Sequence, residues 1–143
     1  MTQRDIREIS LLLKQVQQRK QAAVDEALAE LQCTLAQWVI LRRIDRYPGA
    51  SAHTLAQSAF QTDQSFGAIT RRLIERGLVI REQGKGRATM HRLSDEGENL
   101  LNASDPIVRG TLRTQFAGLD EGELQLFGDL LAKIIDHQNG EGK

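Results

Sequence analysis

One cysteine, two prolines and no long apolar run set the first limits on this 143-residue chain. A lone thiol, Cys33, excludes an internal disulfide and is too little for a thiolate metal site. No stretch approaches the roughly 18 to 20 unbroken apolar residues of a membrane-spanning helix. The opening MTQRDIREIS lacks the cationic end and apolar run of a signal peptide. These absences lead to the expectation of a cytoplasmic chain with no membrane partner. At 40% hydrophobic and 27% charged residues, the composition is that of a globular protein. Residues 1–143 make one domain of ordinary size, long enough to bury a core, although chains of this length often complete theirs by dimerising.

Net charge is also missing, since 19 bases balance 19 acids. The distribution is uneven, however. Between Arg71 and Arg92 seven Lys or Arg face only Glu75 and Glu82, a local charge of +5, while Ser94 to the end carries ten acids and four bases. A polyanion responds to the local field, so overall neutrality does not exclude nucleic acid.

Most of the chain has helical periodicity. Ile6, Ile9, Leu13 and Val16, continued by Ala23, Ala27 and Leu31, are spaced for one long first helix. Thr34-Leu35-Ala36-Gln37 has capping-box spacing and opens a second, which ends near Tyr47-Pro48-Gly49. Ser51 caps a short third helix, and Thr62 caps a fourth that ends at Gly77. Ser94, followed by Asp95 and Glu96, starts another. Asp105-Pro106 suits the cap and first position of a restarted helix, which predicts a kink there. The last helix carries Leu124, Phe127, Leu131 and Ile134, widened by Leu126, Leu130 and Ile135. A stripe that wide suggests that the two ends of the chain, 1–31 and 98–138, pack on a second subunit, the alternative being an intramolecular bundle.

A short helix, a tight turn and a longer helix make a helix-turn-helix, whose second helix enters the major groove. Within Thr62 to Gly77, Phe66, Ile69 and Leu73 are spaced to anchor it. The opposite face presents Gln64, Ser65, Ala68, Arg71 and Arg72, small and polar where base edges would lie and cationic where phosphates would lie. Val79-Ile80-Arg81 and Ala88-Thr89-Met90-His91 then flank Gly84-Lys85-Gly86-Arg87, a β-hairpin with a cationic tip. The hairpin completes a winged helix over 34–93, in which Arg87 would reach an adjacent minor groove. The fold class is thus mainly α with a small β-hairpin wing, a winged helix-turn-helix joined to a helical dimerisation region.

From LQCTLAQWVILRR through RGLVIREQGKGRATMHRLSDEG, the chain resembles the MarR family of bacterial winged-helix transcription regulators. Leu-x-x-Thr-Leu-x-Gln-Trp at the second helix, Leu55-Ala56, Leu73-x-x-x-Gly77-Leu78-Val79 and the Arg-to-Leu-Ser run before Glu96-Gly97 carry the likeness. The resemblance implies a homodimer on a pseudo-palindromic double-stranded operator, usually as a repressor, with a small aromatic or phenolic effector between the dimerisation and DNA-binding parts. Candidate DNA contacts are Ser51, Thr62, Gln64, Ser65, Ala68, Arg71, Arg72, Lys85 and Arg87. There are two departures. The family's wing-tip Asp-x-Arg is Lys85-Gly86-Arg87 here, which implies a more mobile wing, and Ala68 stands where many members have a long basic side chain.

Other features have a plain reading beside a sharper one. Cys33 precedes the Thr34 cap, where a helix dipole would lower its pKa and make a redox-sensing thiol; a passive, partly buried thiol is the plainer reading. Trp38 and Arg42, one turn apart, would line an effector pocket, or pack in the core and be solvated respectively. His53, His91 and His137 lack metal-ligand spacing and read as surface or wing residues. Gly84-Lys85-Gly86 lacks the following Ser or Thr of a phosphate loop. No nucleophile, base and orienter arrangement is present, so neither an enzyme nor a cofactor is expected. The competing class is a winged-helix protein–protein module, against which the clustered Arg71, Arg72, Arg76, Lys85 and Arg87 argue.

Overall fold

The computed structural model describes residues 3–84, 86 and 89–141. Its order is α1 (Ile6–Ala27), a single 3-10 turn (Ala29–Leu31), α2 (Leu35–Arg46), α3 (Ala52–Ser58), α4 (Asp63–Glu75), β1 (Val79–Gln83), β2 (Thr89–Leu93), α5 (Asp95–Gln115) and α6 (Glu121–Glu141). The strands form one antiparallel pair from Val79↔Leu93 to Gln83↔Thr89. Ser51, just before α3, bridges to Met90, so the helix-turn-helix and the hairpin are joined through backbone as well as side chains.

Local rules account for most helix starts. Thr34 Oγ1 accepts from the Gln37 amide at 3.1 Å, and Gln37 Oε1 accepts from the Thr34 amide at 3.1 Å, a reciprocal capping box. Ser51, Thr62 and Ser94 each accept from the amide three residues on. Asp120 and Glu123 satisfy each other's amides at the start of α6. After α4, Gly77 takes φ +74°, the left-handed stop that a glycine supplies without strain. At Gly97 a Cβ would overlap the Leu78 carbonyl, so only glycine lets α5 pass this close to the base of the wing.

The core gathers Val24 and Leu28 from the end of α1, Ile40, Leu41 and Ile44 from α2, Leu55 and Ala56 from α3, Phe66 and Leu73 from α4, Leu78, Val79 and Leu93 at the wing base, and Leu101 and Val108 from α5. The outer ends contribute little to it. Ile6, Leu11 and Leu13 on α1, and Leu126, Leu130, Ile134 and Ile135 on α6, are each about half exposed or more, although Leu124, Phe127 and Leu131 are partly covered. Phe127 reaches Phe116 across the α5–α6 turn, with ring centroids 6.3 Å apart.

Two expectations are corrected. The first helix does not run to Leu31: it stops at Ala27, and Gln32 turns the chain at φ +53°. The turn is held from outside, because Arg76 donates to the Gln32 carbonyl at 2.6 Å and Asp25 accepts from the Leu35 amide at 2.7 Å. Asp105-Pro106 does not restart a helix. α5 passes through it, anchored on either side by buried Leu101 and Val108, and Asp105 binds Arg42 at 2.7 Å and Arg109 at 3.2 Å instead of capping. His91 is a wing residue, in β2, but it lies on the core face of that strand at 5% exposure.

Candidate nucleic-acid interface and the cavity behind it

α4 is two-sided. Phe66 and Leu73 are buried with Thr70 between them, and the Thr70 hydroxyl, on the same side, donates to the Phe66 carbonyl at 2.8 Å. Gln64, Ser65, Ala68, Arg71 and Arg72 are all exposed on the other side. Neither Arg71 nor Arg72 forms an ion pair among the described residues, so both guanidinium groups are open to an external anion. The small Ser65 and Ala68 leave the N-terminal half of this face shallow enough for close approach to base edges.

The +5 block does not form a single face. Arg76 is spent on the turn at Gln32, and Arg92 pairs with Glu82 across the hairpin at 2.8 Å. Arg71 and Arg72 are the cations that α4 presents outward. Lys85 and Arg87, the expected wing-tip contacts, lie outside the described residues. Ser51 and Thr62 are exposed, and both use their hydroxyls as helix caps. At the mouth of the helix pair, His53 Nδ1 lies 2.9 Å from Asp63 Oδ1, tying α3 to the first turn of α4.

Between α1, α2, the α3–α4 turn and the end of α5 is a cavity of about 550 Å³. Lys20, Trp38, Arg42, Phe60, Leu112 and Phe116 are among the residues lining it. Arg42 stands 5.3 Å from the centre of the Trp38 ring and donates to Asp105, which fixes its guanidinium at the wall. The Trp38 indole N–H is buried without an acceptor among the described residues. Rings and cations in one hollow suit a flat organic anion.

A model of the MarR family matches residues 31–88. Beyond that segment, the chain is 30% identical over 113 residues to the HTH-type transcriptional repressor Rv2887 of Mycobacterium tuberculosis, 78% of this chain and 81% of Rv2887. The chain belongs to the MarR family. Its relatives also include the transcriptional regulator HosA of Escherichia coli, 31% identical over 126 residues, 87% of this chain and 92% of HosA. Rv2887 solved with DNA superposes with a TM-score of 0.72 at 26% identity, covering 92% of this chain and 98% of that one. Rv2887 solved with salicylic acid gives 0.72 at 28% identity, covering 92% and 97%. The winged-helix fold and a role in transcription regulation follow from this membership.

In this MarR-family chain Cys33 does not have the low pKa that a helix dipole would give it. The thiol is 3% exposed, and burial pushes its pKa up, with Arg76 opposing only in part. The passive reading fits that environment. Trp38 and Arg42 meet as the spacing suggested and both line the cavity, while Trp38 also packs against the core and Arg42 is exposed. Lys20, Phe60 and Phe116 were missed as cavity residues, because each lies on a different element and no local spacing unites them. Their common surface exists only once α1, the α3–α4 turn and α5 are packed.

Proposed function

We propose that this chain is a homodimeric repressor that holds an operator through α4 and the wing and releases it when a small aromatic anion fills the cavity behind α4. Residues 34–93 serve DNA. Residues 1–31 and 98–138 join the subunits. The observation that carries the reading is the two-sided α4: one side is locked into the core, and the other presents Gln64, Ser65, Ala68, Arg71 and Arg72 without ion pairs among the described residues. Ser51 and Thr62 flank that side, and the proposal counts Lys85 and Arg87, which lie outside the described residues, as further DNA contacts.

The homodimer is supported by the apolar residues that α1 and α6 leave uncovered. The effector is supported by the cavity chemistry, in which Trp38 and Phe116 offer ring faces and Lys20 and Arg42 offer charge. Rv2887 has been solved with DNA, with salicylic acid and with p-aminosalicylic acid.

Footprinting of the promoter beside the chain's own gene, followed by a salt titration on the protected duplex, tests the reading. If each subunit places three to five cations on phosphates, log K falls with log salt at a slope of roughly −5 to −9. A slope near zero removes nucleic acid as the partner. Salicylate added to the bound duplex should release it.

A further inference from the structure

The turn between α3 and α4 holds a residue in a conformation that its type avoids. Phe60 has φ +59°. The Gln61 amide donates to the Ala56 carbonyl at 2.9 Å and the Phe60 amide donates to the Gln57 carbonyl at 3.1 Å. These two bonds make a Schellman helix stop with Phe60 at its left-handed position, where glycine is the default because it carries no Cβ. At Gly49, Gly77 and Gly86 this chain does use glycine for positive φ. The phenyl ring gains nothing from the core in return, since at 84% exposure it is the most exposed large apolar side chain among the described residues. Folding alone therefore gives no reason for a bulky aromatic at this site, and strain of this kind marks places where function supplies the reason.

Position supplies the partner. Phe60 lines the cavity, and so does Gln61. Thr62, the next residue, is the N-cap of α4. Phe60 therefore lines the cavity two residues before the N-cap of the proposed recognition helix.

We infer that Phe60 is the residue through which a ligand in the cavity acts on α4: an aromatic carboxylate stacks on the Phe60 ring and holds the α3–α4 turn in the geometry seen here, against the geometry that DNA selects. The inference rests on the ligand reading of the cavity given above. The energetic logic is differential. Stacking covers apolar ring surface that is otherwise in water, and it does so only while the turn keeps Phe60 at the cavity, so the ligand favours one position of the Thr62 cap over others. A ligand that touched only Trp38 and Arg42, both on α2, would have no such lever on the turn.

The test uses the full-length protein, salicylate as probe, and Phe60→Gly and Phe60→Leu. Trp38 is the only tryptophan, so its emission reports occupation of the cavity, while the anisotropy of a labelled operator duplex reports release. Phe60→Gly should melt no lower than the parent, because glycine accepts the left-handed backbone and little buried surface is lost. Its DNA affinity without salicylate is measured first, and each release curve is read relative to that value. The salicylate concentration for half-release should rise by about tenfold or more, the loss expected when a stacking ring and its covered area are removed. Phe60→Leu, which keeps the strained backbone and loses the flat face, should move in the same direction. Release of Phe60→Gly at the parent's salicylate concentration overturns the inference and leaves the cavity reading standing. If salicylate neither changes Trp38 emission nor releases DNA from the parent, the cavity reading falls and the inference falls with it. Sedimentation of Phe60→Gly at half the parent's mass would make the ring a contact between subunits and overturn the inference as well.

Discussion

The His91 imidazole meets the Phe66 ring edge-on, with centroids 5.8 Å apart and planes at 85°, so the base of the wing and α4 share one buried aromatic contact. Nδ1 of His91 is buried without a hydrogen-bond partner among the described residues. Burial, and secondarily the Arg81 charge, hold its pKa below the usual histidine value of 6.5. In the unfolded chain the group binds a proton near 6.5, whereas in the folded chain it does so only at lower pH. The unfolded state therefore carries more protons in that window, and stability rises with pH. His91 is fully tolerated above about pH 6.5 and destabilises the fold progressively as pH falls below it. Thermal melts from pH 7.5 to pH 5 should show a steeper loss for the parent than for His91→Leu. Parallel curves would mean that His91 does not couple wing packing to pH.

Gly97→Ala should be costly although it adds one methyl group. The new Cβ would meet the Leu78 carbonyl, which is backbone and already accepts from the Ser94 amide at 3.0 Å. A loss of about 1 to 3 kcal/mol is expected, the usual range for overpacking. Chemical denaturation reads it. A variant as stable as the parent would show that α5 can slide away from the wing base freely.

The two proposed DNA elements should separate by what they read. Gln64→Ala should relax base choice within each half-site at roughly 1 to 3 kcal/mol per lost contact. Arg71→Ala and Arg87→Ala should weaken binding evenly across sequences and lower the salt slope, because a phosphate or groove cation carries charge without base identity. Binding to a library of single-base operator variants at fixed salt distinguishes the cases. If Gln64→Ala keeps the parent's base preferences, α4 does not read bases through that side chain.

Charge on the outer face of α6 should separate the subunits. Leu130 and Ile134 are 49% and 52% exposed in the single chain, so Leu130→Glu with Ile134→Glu alters little inside one subunit. Sedimentation at micromolar concentration should change from twice the 16.0 kDa chain mass to the chain mass itself. A parent that sediments as a monomer would remove the dimer.

Features that arise between residues three or four apart were readable from the residues themselves. The Thr34–Gln37 box, the Ser51, Thr62 and Ser94 caps and the Phe66 and Leu73 anchors of α4 all form within one or two helical turns, where spacing decides geometry. The hairpin was readable as two short strands around a glycine-rich tip, although β1 and β2 run on to Gln83 and Leu93, beyond the segments the sequence marked.

Pairings between distant residues were decided only by packing. Asp105 looked like a helix cap because Pro106 follows it, yet its carboxylate is taken by Arg42, 63 residues away, and α5 continues because its neighbours on both sides are buried. Arg76 counted toward a basic face, but it serves the turn at Gln32, 44 residues away. His91 alternates like any wing residue, and only the approach of Phe66 makes its position interior. Phe60 carries no local signal for a left-handed turn, since its conformation is set by the stop of α3 against the start of α4. Local spacing determined which segments are helix, turn and hairpin. The three-dimensional packing determined which charges are left free and which rings face a cavity, because burial and ion pairing depend on neighbours that the order of the chain does not bring together.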